Sequence, residues 1–287
     1  MIRLIAVDLD GTLLNSKKEI SPENIAAIRM AKEAGIQVMI SSGREYPMVE
    51  ALLNKYEISM SAVLLNGAEY RDEQGKILIE FSISKENSKK ISEIFDDFGL
   101  HNRIYAEEGM FTFSDYEGAL QEMMFRMQAF YVGLTQEDAH IRAINDQNFK
   151  SLHFVERTNE FWDSVKVKKF VAFHMDRKLL HEAATQIKSL PDIITTSSFK
   201  DNIEVTSSHA QKGSSLRFAG ESLGIHGSEI MVIGDSFNDI SMFHEFENSV
   251  AMSNGEDSIL QIAKHKTLSN DEHGVAYAIR KVLQNEW

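Results

Sequence analysis

The 287-residue sequence contains no cysteine, which removes disulfides, thiolate zinc sites and cysteine nucleophiles together. Any metal must therefore bind through oxygen or imidazole. Long apolar runs are also missing: none approaches the roughly 20 residues of a membrane helix, so no membrane partner is expected. The N-terminus has no charged region leading into a signal-type apolar core and cleavage site, and a cytoplasmic location is the default expectation. Positive charge is in deficit, with 30 basic against 43 acidic residues and a net charge of -13. Such a balance argues against the phosphate-dominated contacts of a nucleic-acid binder. An anionic substrate needs a locally basic pocket instead. The ten histidines form neither H-E-x-x-H nor a tight pair, and read as core or surface residues.

What is present is an ordinary globular composition, 43% hydrophobic and 25% charged, long enough for two domains. Leu4, Ile5, Ala6 and Val7 form an almost continuous apolar segment, as in a strand buried on both faces of a parallel sheet. It ends abruptly in Asp8-Leu9-Asp10-Gly11-Thr12. In open α/β sheets ligands sit beyond the carboxyl ends of the strands, so Asp8 and Asp10 land where a site belongs. Gly11 permits a sharp turn and leaves backbone N–H groups to face an anion.

Downstream the pattern repeats. Ser21-Pro22 reads as the N-cap and first residue of a helix with Ile25, Ile28 and Ala31 on one face, stopped at Gly35. Ile36 to Ile40 is a second buried strand, ending in Ser41-Ser42-Gly43-Arg44 before a helix with Pro47 in its first turn. Ala62 to Leu65 is a third, ending in Asn66-Gly67-Ala68. Strand and helix alternation of this kind predicts a doubly wound parallel α/β sheet with right-handed crossovers. Glu69 to Phe81 then reads as a hairpin around Asp72 to Gly75.

From Ile83 the alternation becomes irregular, and residues 83–195 read as an inserted domain joined by short hinges near 82 and 196. Residues 1–82 and 196–287 then form the core. Within the insertion, Ile91, Ile94, Phe95 and Phe98 give a helical stripe, Ile104 to Phe113 two strands about Gly109, Val167 to His174 another strand, and Asp176 a helix cap. Met123, Met124, Met127, Phe125 and Phe130 suit either an adaptable binding face or core packing, and packing is the expectation. The regular pattern returns with a strand over Ile203 to Thr206, a helix from Lys212 to Leu223, and a strand over Ile230 to Ile233 that ends in Gly234-Asp235-Ser236-Phe237-Asn238-Asp239.

The string D-x-D-G-T-L-L, with Ser-Gly-Arg at 42–44, Lys-Gly at 212–213 and G-D-S-F-N-D at 234–239, resembles the haloacid-dehalogenase superfamily, in particular its Cof-type phosphatases with a large inserted cap (type IIB). The resemblance spans essentially the whole chain. It implies a Rossmann-like core, an α/β cap that governs specificity, and hydrolysis of phosphate monoesters of small metabolites: sugar phosphates, pyridoxal phosphate or flavin-pathway phosphates. Asp8 is the expected nucleophile, forming an aspartyl-phosphate. Asp10 is the expected general acid and then base.

Two carboxylates facing a dianionic phosphate make sense only with a cation between them, and Mg²⁺ suits an oxygen-only site. The resemblance implies metal ligation by the Asp8 carboxylate, the Asp10 backbone carbonyl and Asp235, with Asp239 supporting the metal's water shell and Asn238 orienting nearby oxygens. It likewise assigns Leu9, Ser42, Gly43 and Lys212 to phosphate binding. Ser42 stands where the family usually has Thr, and the hydroxyl is retained. Arg44 reaches either a substrate or a cap residue, or is solvated. Asn66-Gly67 is a type I′ turn signal in its own right, and in the family lies near cap and substrate. A phosphomutase and a phospho-accepting switch of the receiver kind are the alternatives, although receivers lack both the insertion and an acid two residues after the nucleophile. The oligomeric state is not legible from these residues.

Overall fold

The structure is a computed structural model that describes every residue except Val132. The chain divides into two compact units, Met1–Phe81 with His209–Trp287, and Ser82–Ser208.

The first unit opens with β1 (Leu4–Val7), α1 (Pro22–Glu33), β2 (Gln37–Ser41), α2 (Tyr46–Lys55), β3 (Ser61–Leu64), β4 (Glu69–Arg71) and β5 (Ile77–Glu80). Ser21 caps α1 by accepting the N–H of Asn24, Pro22 opens the helix, and Gly35 leaves it at φ +81°, a conformation that glycine adopts without steric cost. The second unit supplies α3 (Lys85–Asp97), β6 (Asn102–Ala106), β7 (Gly109–Thr112), α4 (Tyr116–Phe130), α5 (Gln136–Asn145), α6 (Gln147–Lys150), β8 (His153–Phe154), α7 (Asn159–Ser164), β9 (Val167–Phe173), α8 (Arg177–Ile187), β10 (Ile193–Thr196) and β11 (Asn202–Ser207). The chain then completes the first unit with α9 (Lys212–Ser222), β12 (Ile230–Gly234), α10 (Ile240–Glu245), β13 (Asn248–Ala251), α11 (Asp257–Ile262), β14 (His265–Lys266) and α12 (Gly274–Leu283).

The first unit's sheet has the order β14-β13-β12-β1-β2-β3-β4-β5. Six of its strands are parallel from β14 to β3, and β4 and β5 add an antiparallel edge. After β1 the chain builds outward on one side through β2 and β3, and on its return builds outward on the other through β12 and β13. β1 therefore lies at the topological switch point, where an open α/β sheet leaves a crevice beyond its strand ends. Both faces are covered. Ile5, Val7, Val38, Ile40 and Ile233 pack with Ala27, Ile28 and Ile279 on one side, while Leu4, Ala6, Val232 and Met39 pack with Leu216, Ala219 and Phe243 on the other. This double burial accounts for the uninterrupted apolar reading of these strands.

The second unit has a six-stranded sheet, β10-β11-β9-β6-β7-β8. One side of it packs on Ile91, Ile94 and Phe95 of α3 and Leu180, Ala183 and Ile187 of α8. The ring of Phe95 lies 6.2 Å from that of Phe170 on β9, and truncating so buried a ring costs about 3–5 kcal/mol. Of the methionine-rich stretch of α4, Met123 and Met127 are buried as packing residues, while Met124, Phe125 and Phe130 are only half-buried.

The boundary expected at 196 differs from the observed one. The strand at 203–206, read as the first of the returning core, is β11, and it pairs antiparallel with β9 and β10 in the second sheet. The second unit accordingly runs to Ser208. A strand's own residues announce extended, half-buried backbone. They carry no signal for which non-local partner completes the ladder.

Candidate active site

Four parallel strands end together around the switch point, and each delivers polar residues at its carboxyl end. β1 delivers Asp8 and Asp10, β2 Ser42 to Arg44, β3 Asn66, and β12 Asp235. Lys212, the first residue of α9, is fully buried among them. Its Nζ donates to Asp8 Oδ1 at 2.7 Å and to Asp239 Oδ1 at 2.7 Å. The placement of α9 rests on a close approach of two backbones. A Cβ on Gly67, at φ +102°, would meet the Gln211 backbone at 2.5 Å, and Ser215 Oγ donates to the Gly67 carbonyl at 2.8 Å. The Lys212 side chain is thereby held beneath Asp8.

Asp8, Asp235 and Asp239 each offer a carboxylate oxygen, all within 4.8 Å of one another. One ammonium faces three carboxylates, so a buried surplus of negative charge remains. Burial pushes the Asp8 carboxyl up, opposed by Lys212 and reinforced by Asp239. Asp235 is raised by burial and then by the charges of Asp8 and Asp239. Burial alone lowers Lys212, but the two carboxylates it touches overcome that and raise it, so it stays charged. An oxygen-only cluster with excess negative charge has the donor chemistry of a hard divalent cation site. Asp239 is also anchored within the protein: Oδ1 on Lys212, and Oδ2 on the N–H groups of Asp235 and Ser236 at 3.0 and 3.1 Å. It orients the lysine and the turn that carries Asp235.

Asp235 is also held from the other side. Thr12 Oγ1 donates to its Oδ1 at 2.7 Å. Gly11, at φ +87°, lies so close that a Cβ there would fall 2.3 Å from Asp235 Oδ2. The Gly-Thr of the first motif thus seats the aspartate of the last one. Leu9 turns its side chain into the apolar core and is fully buried, so only its backbone is available to a ligand.

Asp10 has a separate environment. Arg44 Nε donates to Oδ2 at 2.7 Å and Nη2 to Oδ1 at 2.8 Å, while Lys18 Nζ donates to Oδ1 at 2.9 Å. Burial alone raises this carboxyl, but the guanidinium and the ammonium hold it well below the usual carboxylate range. On the adjoining strand ends, Ser42 donates its N–H to the Val63 carbonyl at 2.8 Å, and its Oγ accepts the Arg44 N–H at 3.2 Å. The Ser42 carbonyl accepts the Asn66 N–H at 3.1 Å. Asn66 sits at φ 59°, as its turn signal anticipates, and its Oδ1 accepts from Asn238 Nδ2 at 3.2 Å. The structure therefore brings together the residues singled out in the sequence: Asp8, Leu9, Asp10, Ser42, Gly43, Arg44, Asn66, Lys212, Asp235, Asn238 and Asp239.

Sequence reasoning missed Lys18 and Thr12. Thr12 belongs to the quoted motif, and its role follows only once Asp235 is known to lie beside it. Lys18 is one of two successive lysines in a loop, has φ 61°, and carries no periodic or motif signal of its own.

Comparison with known proteins gives a consistent result. Residues 5–279 match the family of haloacid dehalogenase-like hydrolases. The chain is 30% identical to 5-amino-6-(5-phospho-D-ribitylamino)uracil phosphatase YwtE of Bacillus subtilis, over 100% of both chains. It is 28% identical to the phosphatase YwpJ of the same organism, over 98% of this chain and 100% of that one. A solved haloacid dehalogenase-like hydrolase from B. subtilis superposes with a TM-score of 0.86 at 27% identity, covering 97% of this chain and 99% of the other.

Proposed function

The chain belongs to the haloacid dehalogenase-like hydrolase family, and on that premise we propose that it hydrolyses a phosphate monoester of a small metabolite with Mg²⁺ through an aspartyl-phosphate on Asp8. The observation that carries this reading is the buried Lys212 bridging Asp8 and Asp239, with Asp235 beside them. A lone strand-end aspartate has no need of a fixed ammonium and two further carboxylates. A nucleophile that must approach a dianion does.

Mg²⁺ would be held by the Asp8 carboxylate, the Asp10 carbonyl and Asp235, with Asp239 supporting its water shell; when bound it neutralises charge on the phosphate and on Asp8. The protein's own groups account for the remaining chemistry. Ser42, the backbone at Leu9 and Gly43, and Lys212 bind the phosphate oxygens, while Asn238 and Asn66 hold the rim. An Asp8 oxygen attacks phosphorus as the ester P–O bond breaks, and the leaving oxygen takes a proton from Asp10. Asp10, now a carboxylate, accepts a proton from water as that water attacks phosphorus, returning Asp8 and releasing inorganic phosphate.

Arg44 and Lys18 add a condition to this sequence. With both cations on it Asp10 rests ionised, the form needed for the second step. An arriving phosphate competes for the same cations, and Asp10 takes up its proton as their grip is released. The 82–208 unit is the proposed cap, supplying contacts to the part of the substrate other than phosphate.

The test is the release of inorganic phosphate from a panel of phosphorylated metabolites, with Mg²⁺ and with chelator. Phosphate release that requires Mg²⁺ supports hydrolysis. Isomerised sugar phosphate without phosphate release marks a phosphomutase, and a stoichiometric phosphorylation without turnover marks a switch.

A further inference from the structure

Three asparagine side chains hold the backbone of the loop that follows β1. Asn254, in the turn between β13 and α11, donates from Nδ2 to the Gly11 carbonyl at 2.8 Å. Asn24 on α1 is fully buried and donates from Nδ2 to the Leu13 carbonyl at 3.3 Å. Asn270, in the segment between β14 and α12, donates from Nδ2 to the Leu14 carbonyl at 2.9 Å. Two of these amides are occupied at the other end as well: Asn254 Oδ1 accepts the Asn270 N–H and Asn24 Oδ1 the Ala276 N–H, both at 2.9 Å. A carbonyl only accepts and an N–H only donates, so each bridge needs a side chain with both functions. An amide has them, fixed in one plane, and a carboxylate does not.

The turn that carries Asn254 is latched to the strand end that carries Asp235. Met252 donates its N–H to the Gly234 carbonyl at 3.1 Å, and Glu256 donates its own to the Asp235 carbonyl at 2.8 Å. A Cβ on Gly255 would fall 3.1 Å from that same carbonyl oxygen and 3.2 Å from Asp235 Cα. Through Asn254 the backbone at Asp235 is therefore tied to the backbone at Gly11, the residue that directly follows Asp10. The Asp10 carboxylate has separate support from Arg44 and Lys18. Its carbonyl has the course of the loop to place it.

We propose that Asn254, with Asn24 and Asn270, clamps the 10–14 turn so that the Asp10 carbonyl and the Asp235 carboxylate keep the spacing a divalent cation requires. These are positioning residues, acting through the backbone they hold. The inference rests on the Mg²⁺ reading of the site and deepens it, assigning part of the metal's affinity to residues outside the carboxylate cluster. Mg²⁺ demands near-octahedral geometry, and the groups that orient a metal's ligands contribute to its affinity. Because Arg44 and Lys18 hold the Asp10 carboxylate independently, loosening the clamp weakens the metal and spares proton transfer.

The test is titration of Asn254→Ala with Mg²⁺, read by calorimetry and by the rise in Tm, beside steady-state assays on phenyl phosphate. The Asn254 side chain is exposed, so the variant keeps its core. Its Mg²⁺ dissociation constant should rise about three- to tenfold, the span of one hydrogen bond's net contribution, with kcat at saturating Mg²⁺ within about twofold of the unmutated value. Asn270→Ala, which loses the Leu14 contact, should shift the constant in the same direction. Asn248→Ala removes an exposed bond of the same kind, Nδ2 to the Ser228 carbonyl at 2.8 Å, at the opposite ends of β12 and β13, and should leave the constant unchanged. An unchanged constant in Asn254→Ala, or an equal rise in Asn248→Ala, overturns the clamp and leaves the Mg²⁺ reading standing. No binding of Mg²⁺ to the unmutated protein would refute that reading, and this inference with it.

Discussion

Arg44 grips both oxygens of Asp10, Nε to Oδ2 at 2.7 Å and Nη2 to Oδ1 at 2.8 Å. In the resting site the fork fixes the plane of the carboxylate that, on the proposed mechanism, takes up a proton as the grip loosens and regains the fork once it is ionised again. Replacing Arg44 with lysine keeps the charge but loses the two-point grip. Arg44→Lys should therefore lower kcat/KM about 10- to 100-fold on every phosphate ester, the scale of a small misplacement of a reacting group. Lys18→Met, which removes only one contact to Oδ1, should cost less. An unchanged kcat/KM in Arg44→Lys would show that Asp10 needs no such positioning.

Asp10→Asn keeps the backbone carbonyl while losing the proton acceptor and donor. Turnover should drop by about 10²- to 10⁴-fold, and more for a poor alkyl leaving group than for an activated aryl ester. Equal losses on the two would contradict the acid role.

Lys212→Met should abolish most turnover with the fold retained, since Lys212 is the fixed charge shared by Asp8 and Asp239. Loss of one preorganised charge contact at a reacting centre is worth about 10²- to 10³-fold in kcat. Wild-type kcat in a folded Lys212→Met protein would remove the lysine from the chemistry.

Metal and pH are linked through the same cluster. Without a cation, burial raises Asp8 above the ordinary carboxylate value, opposed by Lys212 and reinforced by Asp239 and Asp10, and burial raises Asp235, reinforced by the charges of Asp8 and Asp239. A carboxyl raised in the folded state binds more protons there than in the unfolded chain. Its stabilising contribution is present at low pH and is lost as pH rises from the ordinary carboxylate value through the raised one. The metal-free protein should thus lose stability across that window, and Mg²⁺ should restore it. Thermal unfolding should show a larger Mg²⁺-induced rise in Tm at about pH 8 than at about pH 5. An equal rise at both values would mean that the cation binds elsewhere.

Much of this site was legible because its parts are local strings. Asp8-Leu9-Asp10-Gly11 follows a doubly buried strand, Gly234-Asp235 follows another, and each places its aspartate by strand and turn geometry alone. What was hidden is what depends on the partner. Arg44 remained open among several roles because its target, Asp10, lies on another strand. Lys18 gave no signal at all, being a loop residue whose meaning comes from the carboxylate it meets. The strand at Ile203 to Thr206 was legible as a strand, yet its membership of the second sheet follows from pairing with β9 and β10, a non-local choice.

The central claim is that the phosphoryl group passes through Asp8. The most direct measurement is acid quenching of the enzyme during turnover, followed by peptide mass spectrometry of the segment that contains residues 1–14. The account predicts a phosphoryl adduct on Asp8 that forms before phosphate release, accumulates in Asp10→Asn, and is absent in Asp8→Asn. Normal turnover with no adduct on Asp8, or with the adduct on another residue, would contradict it.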